Sequence, residues 1–138
     1  MPPDPLVLAE TRAWLAKADE DLRACEVCLA ARRPLLGTVT YHAQQAAEKA
    51  MKAWLVWHGR PFRKTHHLVE IAEPCWQIDP SLRPLLERSL PLSQYAWKHR
   101  YPGEALDPSR DEATAAMQLA QAITSAMLER LPSEVRPG

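Results

Sequence analysis

A basic loop in the middle of the chain carries the side chains best suited to chemistry on an anion. Arg60, Arg63, Lys64, His66 and His67 fall within eight residues, just before a predicted helix. Cations at a helix N-terminus suit a phosphate group, because free backbone N–H groups point towards the same place. The loop therefore predicts a phosphate site. The alternatives are a solvated loop, or a helix end capped by a hydrogen bond from His66.

Two groups of potential metal ligands are weaker candidates. Cys25 and Cys28 have the spacing of a zinc pair, but they fall inside a helical pattern and lack a matching second pair. His66 and His67 are adjacent, so on a helix their side chains point about 100° apart, which is a poor start for a site with Cys75. We therefore predict no metal and no cofactor, and the odd number of cysteines predicts no disulfide framework.

The composition gives little indication of binding partners. The 138 residues carry 17 acidic and 17 basic side chains, so the net charge calls for neither nucleic acid nor membrane, although a neutral total can hide a local patch. No apolar run approaches the ~20 residues that cross a bilayer, and the N-terminus lacks signal-peptide features. We expect one domain over residues 1–138, with a core at about 6–131, in the cytoplasm. The absence of Asn, the excess of Arg and the 13 prolines favour a thermophile, although GC-rich coding would give the same bias.

The elements that must position the basic loop are all predicted to be helices. Prolines and glycines divide the chain into helix-length pieces, and no segment alternates with period 2. The sequence therefore predicts an all-α, antiparallel up-and-down bundle of four or five helices. The first two predicted helices span residues 6–31 and 38–58, and a short or kinked third helix follows the N-cap Thr65. A fourth segment runs from Asp79-Pro80 towards Tyr101 and is broken by Pro91. The last helix spans residues 109–131 and begins with a capping box of Ser109 and Glu112.

The second predicted helix has two distinct arcs on a helical wheel. Its apolar arc consists of Val39, Ala43, Ala46, Ala47, Ala50, Ala53, Trp54 and Trp57, and its polar arc of Tyr41, His42, Gln44, Gln45, Glu48, Lys49 and Lys52. Such a polar arc is typical of a helix on the protein surface. Two adjacent glutamines favour another interpretation, a semi-buried contact between helices or subunits, because glutamine both donates and accepts hydrogen bonds.

Three short stretches, in order along the chain, resemble the HEPN domain family. They are QQAAEKAMKAWL, then KTHHL, then RYP at residues 100–102. Trp14 and Asp21-Leu22 on the first helix and the Ser-x-x-Glu-Ala entry to the last helix extend the resemblance over residues 14–131. The resemblance implies a helical bundle that often forms a homodimer and often pairs with a small nucleotidyltransferase.

The resemblance also implies one of two functions. Many HEPN proteins are toxin ribonucleases that use an Arg-x(4–6)-His motif across a dimer, whereas others bind nucleotides or serve as the partner of the transferase. We predict the second: a non-catalytic nucleotide-binding and interaction module in a toxin–antitoxin-like pair, with no membrane contact. The predicted binding residues are Gln45, Glu48, Lys49, Lys52, Lys64, His66, Arg100 and Tyr101.

The nuclease motif is not found where the resemblance places it. In SQYAWKHRYPGE, His99 precedes Arg100 and no His follows. A literal match runs from Arg60 to His66, but it crosses a loop and Pro61 follows the arginine. The alternative to the binding module is therefore a metal-independent RNA endonuclease that uses Arg60 or Arg100 with His66 or His99. A further alternative is a dimeric helical scaffold with no ligand.

Overall fold

A computed structural model describes residues 2–99, 101–103 and 106–137 of the protein, and these residues form five α-helices. The helices are α1 (Pro5–Ala30), α2 (Leu36–Trp57), α3 (Leu68–Ile78), α4 (Arg83–Ser89) and α5 (Arg110–Arg130). Three 3-10 turns, Pro80–Leu82, Leu90–Ala96 and Ser133–Val135, complete the regular structure. The described residues contain no strand, so the predicted all-α fold is confirmed.

Helix α2 lies at the centre of the bundle. It packs against α1, α5, α3 and the 3-10 turn Leu90–Ala96. The alanines of its apolar arc have no exposed surface, which lets neighbouring helices approach closely. Asp21 of α1 contacts His42, and Trp14, further towards the start of α1, contacts Lys52, further along α2. The two helices therefore run antiparallel.

Two of the three predicted N-caps are observed. Asp79 accepts a hydrogen bond from the Ser81 N–H ahead of Pro80, as an N-cap should, and Ser109 accepts one from the Glu112 N–H. The predicted N-cap at Thr65 is wrong. Helix α3 begins only at Leu68, and the Thr65 hydroxyl accepts from the His67 N–H inside the preceding loop.

Prolines act as predicted in the second half of the bundle. Helix α4 ends at Ser89, and the chain continues through Pro91 as a 3-10 turn, because proline cannot supply an α-helical N–H. Helix α3 continues through Pro74 and is short, at 11 residues. After α5 the chain folds back, and Val135 in the last 3-10 turn is fully buried, a contact that the sequence did not indicate.

The polar arc of α2 does not form a simple solvent-facing surface. Gln44, Gln45, Glu48 and Lys52 are all buried within the chain's own fold, and Lys49 is partly buried. The physical reason is the central position of α2: its polar side packs against α1 and against the loop before α3. The burial of the two glutamines agrees with the predicted semi-buried contact, but their hydrogen bonds join residues of α2 itself and not two helices or subunits. No helix in the described residues is long and apolar enough to span a membrane.

Candidate functional site

Glu48 is the centre of a buried polar cluster on α2. One carboxylate oxygen, Oε1, accepts a hydrogen bond from Gln44 Nε2 at 3.3 Å and lies 3.1 Å from His66 Nδ1. The other oxygen, Oε2, lies 3.3 Å from Lys52 Nζ. The Glu48 side chain is only 3% exposed, so these contacts supply the partners that water would otherwise provide. We call Gln44, Gln45, Glu48, Lys52 and His66 the Glu48 cluster.

The Lys52 ammonium group is enclosed by aromatic rings as well as by Glu48. It lies 5.2 Å from the centre of the Trp14 ring and 5.3 Å from that of Phe62, distances at which a ring face attracts a cation. The two rings meet edge to face, with their centroids 6.0 Å apart. Phe62 thereby attaches the basic loop to α1. Lys52 is thus fully engaged inside the fold.

Asp21 of α1 forms a second cluster with two residues of α2. Its carboxylate lies 2.8 Å from His42 Nδ1 and 2.6 Å from Lys49 Nζ. We call these three residues the Asp21 cluster. The sequence interpretation treated Asp21 only as a family marker. A signal was present, because Asp21 shares a helix face with Ala18 and Cys25, and a charge on an apolar face needs a buried partner.

The two glutamines are joined to each other within the Glu48 cluster. Gln45 Nε2 donates to Gln44 Oε1 at 2.6 Å, and Gln44 in turn donates to Glu48. Gln44 is completely buried, so a hydrogen-bonding partner is a necessity for its amide. All four predicted binding residues on α2 therefore have hydrogen-bonding partners inside the chain: Gln45, Glu48, Lys49 and Lys52.

His66 is the member of the Glu48 cluster that reaches solvent. Its side chain is 62% exposed. An ionised carboxylate can only accept, so the contact with Glu48 requires the proton on Nδ1, and Nε2 is left to face outward. A buried carboxylate that fixes one nitrogen of an exposed imidazole is the arrangement by which proteins orient histidines for binding or proton transfer. Lys64, two residues earlier, is exposed beside it.

The structure does not join Arg60 to His66. Arg60 Nη2 donates to Gln77 Oε1, near the end of α3, at 3.0 Å, whereas His66 contacts Glu48 in the middle of α2. The literal Arg-x(5)-His match therefore places its two side chains on different elements. Within one chain, these residues do not form the paired catalytic groups that the ribonuclease alternative requires.

His99 lines a pocket that does not include His66. With Gly37, Thr38 and Tyr41 it lines a pocket of about 330 Å³ at the start of α2. Its backbone is in the left-handed region, at φ 68°, and its ring stacks on Tyr95 with centroids 5.9 Å apart. Neither ring nitrogen has a hydrogen-bonding partner among the described residues. Tyr101 is exposed, and Arg100 lies outside the described residues.

Tyr95 and Glu112 form a contact that the sequence did not reveal. The tyrosine hydroxyl donates to Glu112 Oε1 at 2.6 Å. Burial, followed by the neighbouring carboxylate, raises the pKa of Tyr95 well above its usual range. The same hydrogen bond lowers the pKa of Glu112. Glu112 was predicted to complete a capping box, but its side chain instead joins α5 to the turn Leu90–Ala96.

The cysteines have surroundings typical of structural residues. Cys25 and Cys75 are buried and donate to the backbone carbonyls of Val39 and Met51, respectively. Burial raises the pKa of Cys25 to about 12, and it raises that of Cys75 further, so both thiols stay protonated at neutral pH. In the part of the chain that the structure describes, no three His, Cys, Asp or Glu side chains are grouped as metal ligands.

Comparison with known proteins adds a family to this geometry. The family model of the HEPN domain matches residues 11–131, which is most of the chain. The chain belongs to the HEPN family. No curated protein and no solved structure shows a significant match. The HEPN family covers nucleotide-binding and ribonuclease roles, and HEPN domains often dimerise.

The matched region of this HEPN domain contains both polar clusters and the basic loop. Asp21, Glu48 and His66 all lie between residues 11 and 131. Of the predicted binding residues in the described part of the chain, Lys64, His66 and Tyr101 are exposed enough for direct contact with a ligand. The Glu48 cluster lies directly behind His66, where it can fix the orientation of the ring.

Proposed function

We propose that this HEPN domain is a non-catalytic nucleotide-binding and interaction module. The observation that carries the proposal is the pairing of His66 with buried Glu48 while Arg60 is held by Gln77. The chain thus presents an oriented imidazole, while the arginine of the literal motif, Arg60, is held on another element and is not placed to stabilise a phosphorane beside it. Such a site suits recognition of a phosphate better than its cleavage.

The ligand phosphate binds at the outer side of the basic loop. His66 Nε2 and the Lys64 ammonium group are both exposed there, and a doubly protonated His66 can donate from Nε2 while Nδ1–H stays on Glu48. Glu48 and Lys52 support this geometry from inside, and Gln45 and Lys49 belong to the same polar side of α2. Tyr101 offers an exposed ring. Arg100, outside the described residues, remains a predicted phosphate contact.

The module works as a homodimer together with a small nucleotidyltransferase, in a toxin–antitoxin-like pair. The support is the family, in which dimers are frequent, and the sequence resemblance to members that accompany such transferases. Co-expression with the product of the neighbouring gene, followed by affinity purification and light scattering, tests this part. An empty pull-down with that product removes the partner from the proposal, and a monomeric mass removes the dimer.

Isothermal titration with ATP and the other ribonucleotides tests the binding part. We expect heat from the native protein and at least tenfold weaker binding for His66→Ala, because a charge-assisted hydrogen bond contributes about 1.5 kcal/mol or more. His42→Ala is the matched control, since His42 also pairs with a buried carboxylate but is only 29% exposed. If no nucleotide gives heat, or both variants lose binding equally, His66 is not the contact.

A metal-independent ribonuclease is the second candidate, and the Glu48–His66 pair is the observation that favours it. A histidine oriented by a carboxylate can act as a general base on a ribose hydroxyl. This candidate predicts growth arrest on expression and cleavage of RNA in EDTA, both lost in the double variant Arg60→Ala, His66→Ala. Normal growth with intact RNA eliminates it.

A further inference from the structure

The outer side of α1 has a regular pattern of its own, with a period of 3.5 residues. Its members follow one another at alternating steps of three and four, so they share one face of the helix. All of them are exposed: Leu6, Ala9, Ala13, Ala16, Glu20, Arg23, Val27 and Ala30. We call these eight residues the α1 stripe. A mostly apolar face with this period is typical of a helix that pairs with another helix as a coiled coil.

The α1 stripe lies on the opposite side of the helix from the core. The core side of α1 is formed by Leu15, Ala18 and Cys25, which are buried. On the α1 stripe, by contrast, Leu6 is 79% exposed and Val27 is 72% exposed. A helix on a protein surface normally has polar side chains opposite its core face. The α1 stripe is therefore an apolar face that the described residues leave uncovered.

The first half of the α1 stripe also borders a shallow, mainly apolar depression of about 390 Å³. Its lining residues are Pro5, Leu8, Ala9, Arg12, Ala13 and Ala16. Because the alanines have short side chains, a second helix can approach the backbone of α1 closely there. Larger side chains from that helix would fill the depression.

The α1 stripe is complementary to itself when two copies of α1 run antiparallel. With a two-fold axis level with Ala18, each residue of the stripe meets the mirrored position in the second copy. The pairs are Leu6 with the partner's Ala30, Ala9 with the partner's Val27, Ala13 with the partner's Arg23, and Ala16 with the partner's Glu20. Every pair joins one alanine to a larger side chain, as close helix packing requires. A parallel pair would instead place Glu20 against the partner's Glu20 and Arg23 against the partner's Arg23.

The charges beside the α1 stripe fit the same arrangement. Arg12 and Glu26 are exposed on one flank of the stripe, and the antiparallel pair places Arg12 against the partner's Glu26, twice by symmetry. Lys17 and Asp19, which are nearest the axis, meet their own copies. Each of these two already has an oppositely charged partner in its own chain. Complementary charges of this kind fix the orientation of a complex more than its affinity.

We infer that the α1 stripe is covered by the α1 stripe of a second copy of this chain, antiparallel to it. This inference rests on the homodimer in the proposed function, and it gives that dimer its face and its register. The α1 stripe contains no residue of the basic loop, so pairing through α1 does not use the proposed phosphate contact, His66.

Disulfide cross-linking of the full chain tests the face and the register together. Under mild oxidation, Ala9→Cys protein mixed with Val27→Cys protein should give a covalent dimer. Each variant alone should not, because the antiparallel pair separates the two copies of either residue by about 27 Å along the helix axis. The native protein is the background control, since its Cys28 is partly exposed. Efficient cross-linking of either variant with itself, or none in the mixture, overturns the register.

Sedimentation equilibrium over a range of concentrations tests the energetics. Ala16→Glu places a carboxylate against the partner's Glu20 in two symmetric pairs, so we expect dimerisation to weaken at least tenfold. Ala115→Glu makes the same change at an exposed alanine on α5 and is the matched control, which should leave dimerisation unchanged. Thermal unfolding of both variants shows whether either substitution affects the fold itself.

A charge exchange tests the orientation independently of packing. Arg12→Glu should weaken dimerisation severalfold, because two attractive pairs become repulsive. The double variant Arg12→Glu, Glu26→Arg should restore it, since the pairs are attractive again with their signs exchanged. A double variant that dimerises no better than Arg12→Glu contradicts the antiparallel arrangement.

The outcomes separate this inference from the function on which it rests. A native dimer that Ala16→Glu leaves intact overturns the α1 contact but keeps the proposed homodimer, which then forms through another face. A native protein that is monomeric at every concentration overturns both the α1 contact and the homodimer. Nucleotide binding is measured separately by titration and does not depend on either result.

Discussion

The two carboxylate–histidine pairs on α2 have the same chemistry but different access to solvent. Asp21 binds His42 between two helices, whereas Glu48 binds His66, which comes from a loop. The His42 side chain is 29% exposed and the His66 side chain 62% exposed. Each carboxylate also binds a lysine. Whether the histidine comes from a helix or from a loop therefore decides whether such a pair only stabilises the fold or can also contact a ligand.

The lysines that pair with these two carboxylates differ in exposure in the opposite direction from the histidines. Lys52, the partner of Glu48, is 11% exposed and enclosed by Trp14 and Phe62, whereas Lys49, the partner of Asp21, is 22% exposed. The cluster with the more open histidine therefore has the more buried ion pair. In the Glu48 cluster, the buried lysine on the helix stabilises the fold, and the exposed histidine on the loop is accessible to a ligand.

Glu48→Ala should have the largest effect on stability. It leaves the Lys52 charge buried without its carboxylate and the Gln44 amide without its acceptor, so we expect a loss of about 3 kcal/mol in the free energy of unfolding. Urea denaturation followed by circular dichroism measures this loss. The double variant Glu48→Ala, Lys52→Met should recover part of it, because the unpaired charge is gone. A double variant no more stable than the single one would contradict this account.

Asp21→Ala should cost less, about 1.5 kcal/mol in the same measurement. The reason is that Lys49 and His42 can both turn towards water once the carboxylate is removed. Asp21→Asn, which keeps the size and one acceptor, is the matched control and should fall between the native protein and Asp21→Ala. A loss as large as that of Glu48→Ala would show that burial of the lysine does not decide the cost.

The smallest effect should come from Glu112, a carboxylate near the surface. The hydrogen bond from Tyr95 lowers the pKa of Glu112 in the folded state. The ionised Glu112 therefore stabilises the fold at pH values above the pKa that it has in the unfolded chain. This stabilisation is lost as the pH falls through the pKa of Glu112 in the folded protein. Tyr95→Phe should therefore lower the melting temperature slightly at about pH 7, and the gap to the native protein should narrow at about pH 3. A gap independent of pH would mean that packing, and not the hydrogen bond, is responsible.

The sequence predicted the helices well because their signals are local. Apolar spacing on α1, the caps at Asp79 and Ser109 and the break at Pro91 each depend on neighbours within about one helical turn. The site was predicted less completely because its partners are distant in sequence. Asp21 meets Lys49 across 28 residues, and Lys52 meets Trp14 across a helix pair. A helical wheel shows the direction of a side chain but not which element covers it.

Thr65 shows the same limit at the level of one hydrogen bond. It has the chemistry of an N-cap and lies just before a helix, yet α3 begins at Leu68. The Leu68 N–H, one of the first free donors of α3, is satisfied by Ser93, 25 residues away. A tertiary partner has replaced the local cap.

The contact between Phe62 and Trp14 has a practical consequence for spectroscopy. Phe62 is the only phenylalanine in the sequence. Biosynthetic incorporation of fluorophenylalanine would therefore give a single ¹⁹F resonance from the basic loop, shifted by the ring current of the neighbouring Trp14. The position and width of that resonance would follow the loop in solution, free and with ligand, without any engineered cysteine or change to the fold.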